Sequence, residues 1–431
     1  MIKIANIKSV LLGWLMLFSV TSGYPCSMYK ITRNGKTMVG CNEDAWRTTP
    51  HIWFEMANKT RRYGAAFTGS RWDGGNGYAP QSGMNEMGLV YSRLAAPAPE
   101  SKTTDSNLKP IANPTQYLKD ILHSCKNVDE VQAFISRYDH SYFIEDVMIY
   151  VEKSGRYLVV EPYTMTIGND ANYVLSNFCP SVTSPSQAMR LDRYRKGVEF
   201  LKGKSESSLQ FCTELSDAMH VCRDRIGDGT LLTSIWNSKD GTVNLYFYHQ
   251  YKNTIQYNVN DELAKGDHLL AIEPLFPSNA EFEMLGSFKT PQNTIGLTFF
   301  LMGCAAVFFF SAWYFLVVYV RNRSKLRYNY ALAAMFPLGL ALVYYLFVLC
   351  TTLGIFYFPA PFNDPHNIWI TVISYLPYVL LLLLLPMIAL CVKIIRERAW
   401  SIFPSGLFAL NNLIVITLMV LFGYWGFFDV L

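Results

Sequence analysis

Cys26–Asp44 reads CSMYKITRNGKTMVGCNED. Ser27–Thr32 and Thr37–Cys41 are short runs of strand-forming side chains, and Asn34-Gly35 stands between them. An Asn-Gly pair is the strongest short-range hairpin signal, because both central residues of a type I′ turn need positive φ. The stretch therefore reads as two antiparallel strands opening a sheet. A cysteine stands just before the first, and Asn42-Glu43-Asp44 follows the second.

Working outward, further β-rich runs occur at Gly88–Arg93, Asp146–Val151, Tyr157–Pro162 and Thr242–Tyr248. Helical periodicity covers Pro114–Cys125, Val128–Arg137, Ala188–Lys202 and Ser208–Cys222. Asn113 caps the first of these, with Pro114 at its first position. Sheet-forming segments separated by helix pairs imply a layered α+β domain. Residues 264–294, with Pro274, Pro277 and Pro291, read as a linker.

The rest of the chain is different in kind. Of 431 residues, 51% are hydrophobic and only 16% charged, too apolar for a wholly soluble protein and too long for one domain. Four uncharged stretches, about 295–320, 329–356, 368–392 and 403–427, are each long enough to span a bilayer. Arg321, Arg323, Lys325 and Arg327 lie between the first two, and Lys393, Arg396 and Arg398 between the last two, while 357–367 has no Lys or Arg. The positive-inside rule then puts both basic loops in the cytoplasm and the N-terminal domain outside. With no charged residue in the spans, a proton or ion path is disfavoured. The bundle is expected to anchor the protein and to offer a surface for homo-oligomerisation. The net charge of +4 gathers in short runs, which is no nucleic-acid footprint.

Residues 1–25 read as a leader: Lys3 and Lys8, an apolar run Val10–Val20, then Thr21-Ser22-Gly23. Gly23-Tyr24-Pro25 before Cys26 disfavours lipidation, and the expected route is cleavage after Gly23 followed by loss of Tyr24 and Pro25. The exported part holds Cys26, Cys41, Cys125, Cys179, Cys212 and Cys222, and no spacing resembles a metal site, so neither metal nor cofactor is expected. Cys212 and Cys222 fall on what reads as one helix, roughly 15 Å apart and unable to bond to each other.

The span 26–260 resembles the choloylglycine hydrolase family of N-terminal-nucleophile hydrolases, which includes bile salt hydrolases and penicillin V acylases. The resemblance rests on motifs in order: Cys26-Ser27-Met28, Gly40-Cys41-Asn42-Glu43-Asp44-Ala45-Trp46, Gly83-Met84-Asn85-Glu86-Met87-Gly88-Leu89, Val174-Leu175-Ser176-Asn177-Phe178, Arg190, and the strands around Thr230–Asn237 and Thr242–Tyr248. It implies a four-layer αββα hydrolase domain over 26–263, followed by the linker 264–294 and an all-α four-helix membrane domain over 295–431.

It also implies roles. Cys26, once N-terminal, would be the nucleophile, its own amine taking the thiol proton; unperturbed thiol and amine pKa values of about 8.5 and 7.7–8.0 make that transfer feasible. The other reading of Cys26 is half a disulfide. Asp44 would hold the amine, or Asn42-Glu43-Asp44 would be a plain turn. Asn85 and Asn177 would form the oxyanion hole, or shape a turn and cap a strand. Arg190 would be the active-site arginine, with Arg193 and Arg195 as rivals and an exposed basic helix face as the alternative. Cys41 stands where bile salt hydrolases carry an arginine, which argues against direct transfer of bile-salt specificity; Arg33 and Arg47 are the nearby substitutes.

The expected activity is hydrolysis of a linear, non-peptide amide of an N-acyl compound. Alternatives are a dipeptidase or acyltransferase on the same fold, a non-catalytic membrane receptor, and a papain-like thiol enzyme. The last needs a histidine partner, and the exported histidines fall in no motif.

Overall fold

The computed structural model describes residues 26–45, 48–100, 107–204, 206–223, 228–322, 326–356, 360–364 and 367–428. The expected leader, Trp46, Arg47, Arg323 and Lys325 lie outside the described residues. The chain forms two compact units, the first closing at Phe288 and the second opening at Lys289.

The opening hairpin follows from its turn. β1 (Ser27–Arg33) pairs antiparallel with β2 (Lys36–Ala45), and Asn34 and Gly35 carry φ of 52° and 70°. Then come β3 (His51–Glu55), β4 (Ala65–Gly69), the small ribbon β5 (Arg71–Trp72) with β6 (Tyr78–Ala79), β7 (Ser82–Asn85) and β8 (Val90–Ala95). Helices α1 (Pro114–Ser124) and α2 (Val128–Ile135) follow, the side chains of Asn113 and Asn127 capping their first turns. After β9 (Asp146–Val151), β10 (Tyr157–Glu161), β11 (Thr164–Gly168) and β12 (Asn172–Leu175) come α3 (Pro185–Ala188), α4 (Asp192–Leu201) and α5 (Leu209–Met219). The unit closes with β13 (Cys222–Arg223), β14 (Asp228–Asn237), β15 (Thr242–Phe247), β16 (Ile255–Asn258), α6 (Val259–Leu263), β17 (His268–Ala271) and α7 (Ala280–Ser287).

These strands make two sheets. One runs β12-β1-β2-β14-β15-β16, with β13 beside β14; the other runs β11-β10-β9-β8-β7-β4-β3-β17. Leu118, Ile121, Val128 and Val131 of α1 and α2 pack on Phe67, Tyr91, Tyr150 and Leu158 of the second sheet. Leu201, Phe211, Leu215 and Met219 of α4 and α5 pack on Tyr29, Ile31, Ile235 and Tyr246 of the first. The inner faces meet each other: Ser82 Oγ of β7 lies 2.9 Å from Ser234 Oγ of β14. The result is an αββα sandwich in which each sheet buries one face on helices and one on its partner. Two motif glycines are set by close approach. A Cβ on Gly40 would lie 2.1 Å from the Tyr29 ring, and one on Gly88 (φ 80°) would lie 2.6 Å from Ser238 O.

Several local expectations change. Asn42-Glu43-Asp44 is strand, because β14 pairs with β2 and brings Thr230 opposite Asp44. The Ser208–Cys222 helix stops at Met219, where His220 turns extended (ψ 162°), so Cys222 lies in β13. Ala188–Lys202 is two pieces, a short turn of helix capped by Ser184 and the longer α4. Residues 264–288 are not a free linker. β17 pairs with β3, satisfying the backbone of that sheet edge, and Phe282 of α7 packs on Phe247 at 4.9 Å. Pro274 sits in the first turn of a short 3₁₀ helix and Pro277 lies between elements, where a missing N–H costs little.

The second unit is α8 (Ile295–Asn322), α9 (Asn329–Thr351), α10 (Ile368–Ile373) leading into α11 (Leu376–Arg396), and α12 (Ile402–Tyr424). Four spans of 28, 23, 29 and 23 residues are long and apolar enough to cross a membrane. Their apolar side chains stay outward: Leu382, Leu385 and Ile402 are 78%, 75% and 93% exposed, which suits lipid and would be a liability in water. Inside, a Cβ on Gly339 would lie 2.9 Å from Ala312 Cβ, the small-residue contact that lets spanning helices approach. Asn411 donates to Ser311 Oγ across helices at 2.8 Å. The segments following α8 and α11 meet at one end of the bundle, where Arg327 pairs with Glu397 at 2.9 Å and Trp400 Nε1 donates to Arg327 O at 2.8 Å.

Candidate active site

Cys26 stands at the mouth of β1, 6% exposed. Its backbone nitrogen donates to Asp44 Oδ2 at 3.3 Å. The hairpin makes this contact: Ser27 pairs with Asn42, so the residue before β1 meets the residues after Cys41 on β2. Asp44 is itself held twice more. Thr230 Oγ1 donates to Oδ1 at 2.7 Å, and Arg193 Nη1 meets Oδ2 at 2.5 Å. Thr230 is fixed in turn by accepting from Val221 N at 3.0 Å. The Asp44 and Arg193 side chains are 4% and 14% exposed, so the pair is poorly screened by solvent.

The thiol has its own surroundings. Gln81 Nε2 points at Cys26 Sγ from 3.5 Å and also donates to Arg93 O. Arg93 is clamped by Asp146 through two 2.8 Å bonds. Burial, then the Asp44 charge, push the Cys26 thiol well above the ordinary thiol range. Cys26 carries φ of 116°, outside the regions L-residues favour. That torsion exists only while a residue precedes Cys26; a chain beginning there has none.

Of the five expected site residues, the structure brings Cys26, Asp44 and Asn177 together. The β1–β12 register, Met28 opposite Leu175, extrapolates to Cys26 opposite Asn177, and Ser176 Oγ donates to Cys26 O at 3.4 Å. Asn177 Nδ2 donates to Ala95 O at 2.8 Å. Asn85 is elsewhere. It lies four residues beyond Gln81 along the β7 strand, about 13 Å at strand rise. Its Nδ2 donates to Leu122 O and Cys125 O, and its Oδ1 accepts from Met87 N and Leu89 N. Asn85 therefore ties the β7–β8 turn to the end of α1, the turn-shaping alternative. Arg190 is also displaced: it is exposed in the turn before α4, and Arg193, one helical turn on, is the guanidinium at Asp44. Arg33 lies at the far end of β1, about 23 Å away at strand rise, and cannot stand in for the arginine that Cys41 replaces.

Cys41 lies in the layer between the sheets, hydrogen-bonded to Ser92, Ser234 and Ser82, with burial pushing its thiol up to about 12. No disulfide links the described cysteines. Glu43 is buried too. Burial pushes its carboxyl up to about 7 even though Ser70 Oγ donates to Oε1 at 2.6 Å; Oε2 has no hydrogen-bond partner among the described residues. Gln81 and Arg93 are not singled out by motif; Arg193 is named as a rival, and Thr230 only as the start of a motif strand, without a role. Their only sequence signal is a polar residue within or beside a strand or helix, which is common.

No protein-family model and no curated protein matches the chain. Solved structures do. The chain is similar to a mutant of conjugated bile acid hydrolase from Clostridium perfringens at 14% identity, over 60% of this chain and 97% of that one, with TM-score 0.42. A second variant of the same enzyme aligns at 15% identity over 59% and 97%, TM-score 0.44. Penicillin V acylase from Agrobacterium tumefaciens aligns at 15% identity over 55% and 87%, TM-score 0.41.

Proposed function

We propose that the first unit is an amide hydrolase whose nucleophile is Cys26 as an N-terminal residue, cleaving a linear, non-peptide C–N bond of an N-acyl compound. The observation that carries this reading is the buried Asp44 carboxylate aimed at the Cys26 nitrogen. A backbone amide offers that carboxylate one N–H and no charge. An α-ammonium offers several and a full positive charge, so both partners are ionised. The φ of 116° points the same way, since removal of residues 1–25 abolishes that strained torsion.

Before processing, burial and the Asp44 charge keep the thiol protonated and inert. Afterwards the free α-amine, oriented by Asp44, takes the thiol proton. The thiolate attacks the amide carbonyl carbon, and the tetrahedral oxyanion is met by hydrogen-bond donors, for which Asn177 is the side-chain amide adjoining the nucleophile. The α-ammonium returns its proton to the departing amine as the C–N bond breaks, leaving a thioester on Cys26. Water then attacks the thioester, its proton passes through the same amine to the sulfur, and the carboxylic acid leaves. Arg193 neutralises Asp44, and Gln81, held by the Arg93 carbonyl, directs its side-chain N–H at the sulfur.

The substrates named for the structural neighbours, a conjugated bile acid and penicillin V, are both acyl amides, which supports the substrate class. Four helices able to span a membrane support tethering of this unit beside acyl-chain substrates, and the basic loops and the expected leader favour the exported face. The test is mass spectrometry of the protein from membranes, combined with turnover of an N-acyl amide panel. A mature chain starting at Cys26, active as wild type and inactive as Cys26→Ala, is expected. Equal turnover in Cys26→Ala, or full activity with residues still preceding Cys26, overturns the proposal.

A further inference from the structure

We infer that Cys222, His249 and Glu281 form a binding site for a divalent cation of the zinc type, distinct from the Cys26 site. The three come from separate segments: β13, the turn after β15, and the first turn of α7. Their ligand atoms lie within 4.8 Å of one another. His249 Nε2 is 2.7 Å from Glu281 Oε2, and Cys222 Sγ is 3.9 Å from the same oxygen. In a tetrahedral zinc site, with metal–sulfur near 2.3 Å and metal–nitrogen or –oxygen near 2.0 Å, donor atoms stand roughly 3.3–3.5 Å apart. The two spacings, 2.7 and 3.9 Å, differ from that by about 0.4–0.6 Å, and the Glu281 side chain, 55% exposed, has room to adjust.

The hydrogen-bonding pattern of His249 is compatible with a cation. His249 Nδ1 faces Thr230 O at 3.3 Å, while Nε2 faces the Glu281 carboxylate. A neutral imidazole has one N–H for these two acceptors. With Nδ1–H donated to the carbonyl, the arrangement that orients most metal-bound histidines, Nε2 presents a lone pair to a carboxylate and a thiol. In that tautomer a metal ion bound at Nε2, the thiolate and the carboxylate would satisfy all three groups while Nδ1–H keeps its carbonyl partner. The ring is also rigidly held. His249 and the preceding Tyr248 both sit at positive φ, 45° and 53°, and His220 stacks parallel on the ring at 5.5 Å. Thiolate, imidazole and carboxylate together suit zinc and not magnesium or calcium, and three protein ligands leave a fourth position for water.

The site is connected to the nucleophile without being part of it. Thr230, whose carbonyl faces His249 Nδ1, donates its hydroxyl to Asp44. The inference does not depend on the amide-hydrolase reading.

The test uses the full chain purified in detergent, titrated with zinc against a chromogenic chelator, with zinc-edge X-ray absorption on the complex. One zinc per chain is expected, with one sulfur near 2.3 Å and nitrogen or oxygen neighbours near 2.0 Å. Cys222→Ser and His249→Ala should abolish binding, and Glu281→Gln, at an exposed position that leaves folding intact, should weaken it at least tenfold. Cys26→Ser should bind as wild type. No uptake at micromolar zinc, wild-type binding by Glu281→Gln, or loss of binding in Cys26→Ser overturns the inference.

Discussion

Asp44→Asn is the substitution that asks most of the proposed site. The carboxylate receives Cys26 N at 3.3 Å, Thr230 Oγ1 at 2.7 Å and Arg193 Nη1 at 2.5 Å, and its side chain is 4% exposed. Asparagine keeps the shape and removes the charge. Arg193, 14% exposed, then keeps a buried positive charge with its counter-charge gone. Removing one partner of a buried ion pair costs about 3–5 kcal/mol, and the partial exposure of Arg193 places the loss near about 3 kcal/mol. The catalytic loss has a separate origin. A hydrogen bond to a charged group is worth about 1.5–3 kcal/mol, so losing the hold on the α-ammonium should lower kcat/KM by about 10- to 150-fold. The two effects separate experimentally. Thermal melting reads the first, and hydrolysis of an N-acyl amide by chain confirmed by mass to begin at Cys26 reads the second. Turnover within threefold of wild type by a correctly processed Asp44→Asn would show that the carboxylate does not orient the amine, and the mechanism would fall with it.

Arg193→Ala should cost more than tenfold in kcat/KM, while Arg190→Ala stays within threefold, because only the former guanidinium reaches Asp44; the reverse order would restore the motif-based assignment. Asn85→Ala should act on stability rather than chemistry. It deletes four hydrogen bonds around the β7–β8 turn, so a large fall in melting temperature is expected, with near-normal kcat in the fraction that folds. Glu43 makes stability depend on pH. Its carboxyl rises from 4.5 unfolded to about 7 folded, so the folded state binds the extra proton. That contribution is complete below pH 4.5 and is lost as pH rises through about 7, at most about 3 kcal/mol. Melting followed from pH 4 to 8 should show this decline in wild type and a flatter profile in Glu43→Gln.

Local chemistry was legible without a structure. Asn34-Gly35 dictated the first hairpin, because positive φ at two successive residues is a property of those side chains alone. The four spans followed from length and hydropathy, since a bilayer demands some twenty apolar residues whatever the neighbours are. The nearness of Cys26 to Asp44 followed too: once the hairpin forms, residues before its first strand must meet residues after its second. The tertiary structure decided everything that depends on pairing across long stretches of chain. Arg193 rather than Arg190 reaches Asp44 because Arg190 sits, exposed, in the turn between the two helical pieces, while Arg193 lies in the first turn of α4. Asn85 is consumed by Leu122 and Cys125, partners it meets only when α1 packs on the second sheet. β17 joins β3 across more than two hundred residues, and Cys222, His249 and Glu281 converge from three segments. No local period or spacing records such meetings, because burial and backbone pairing choose them only when the whole sandwich closes.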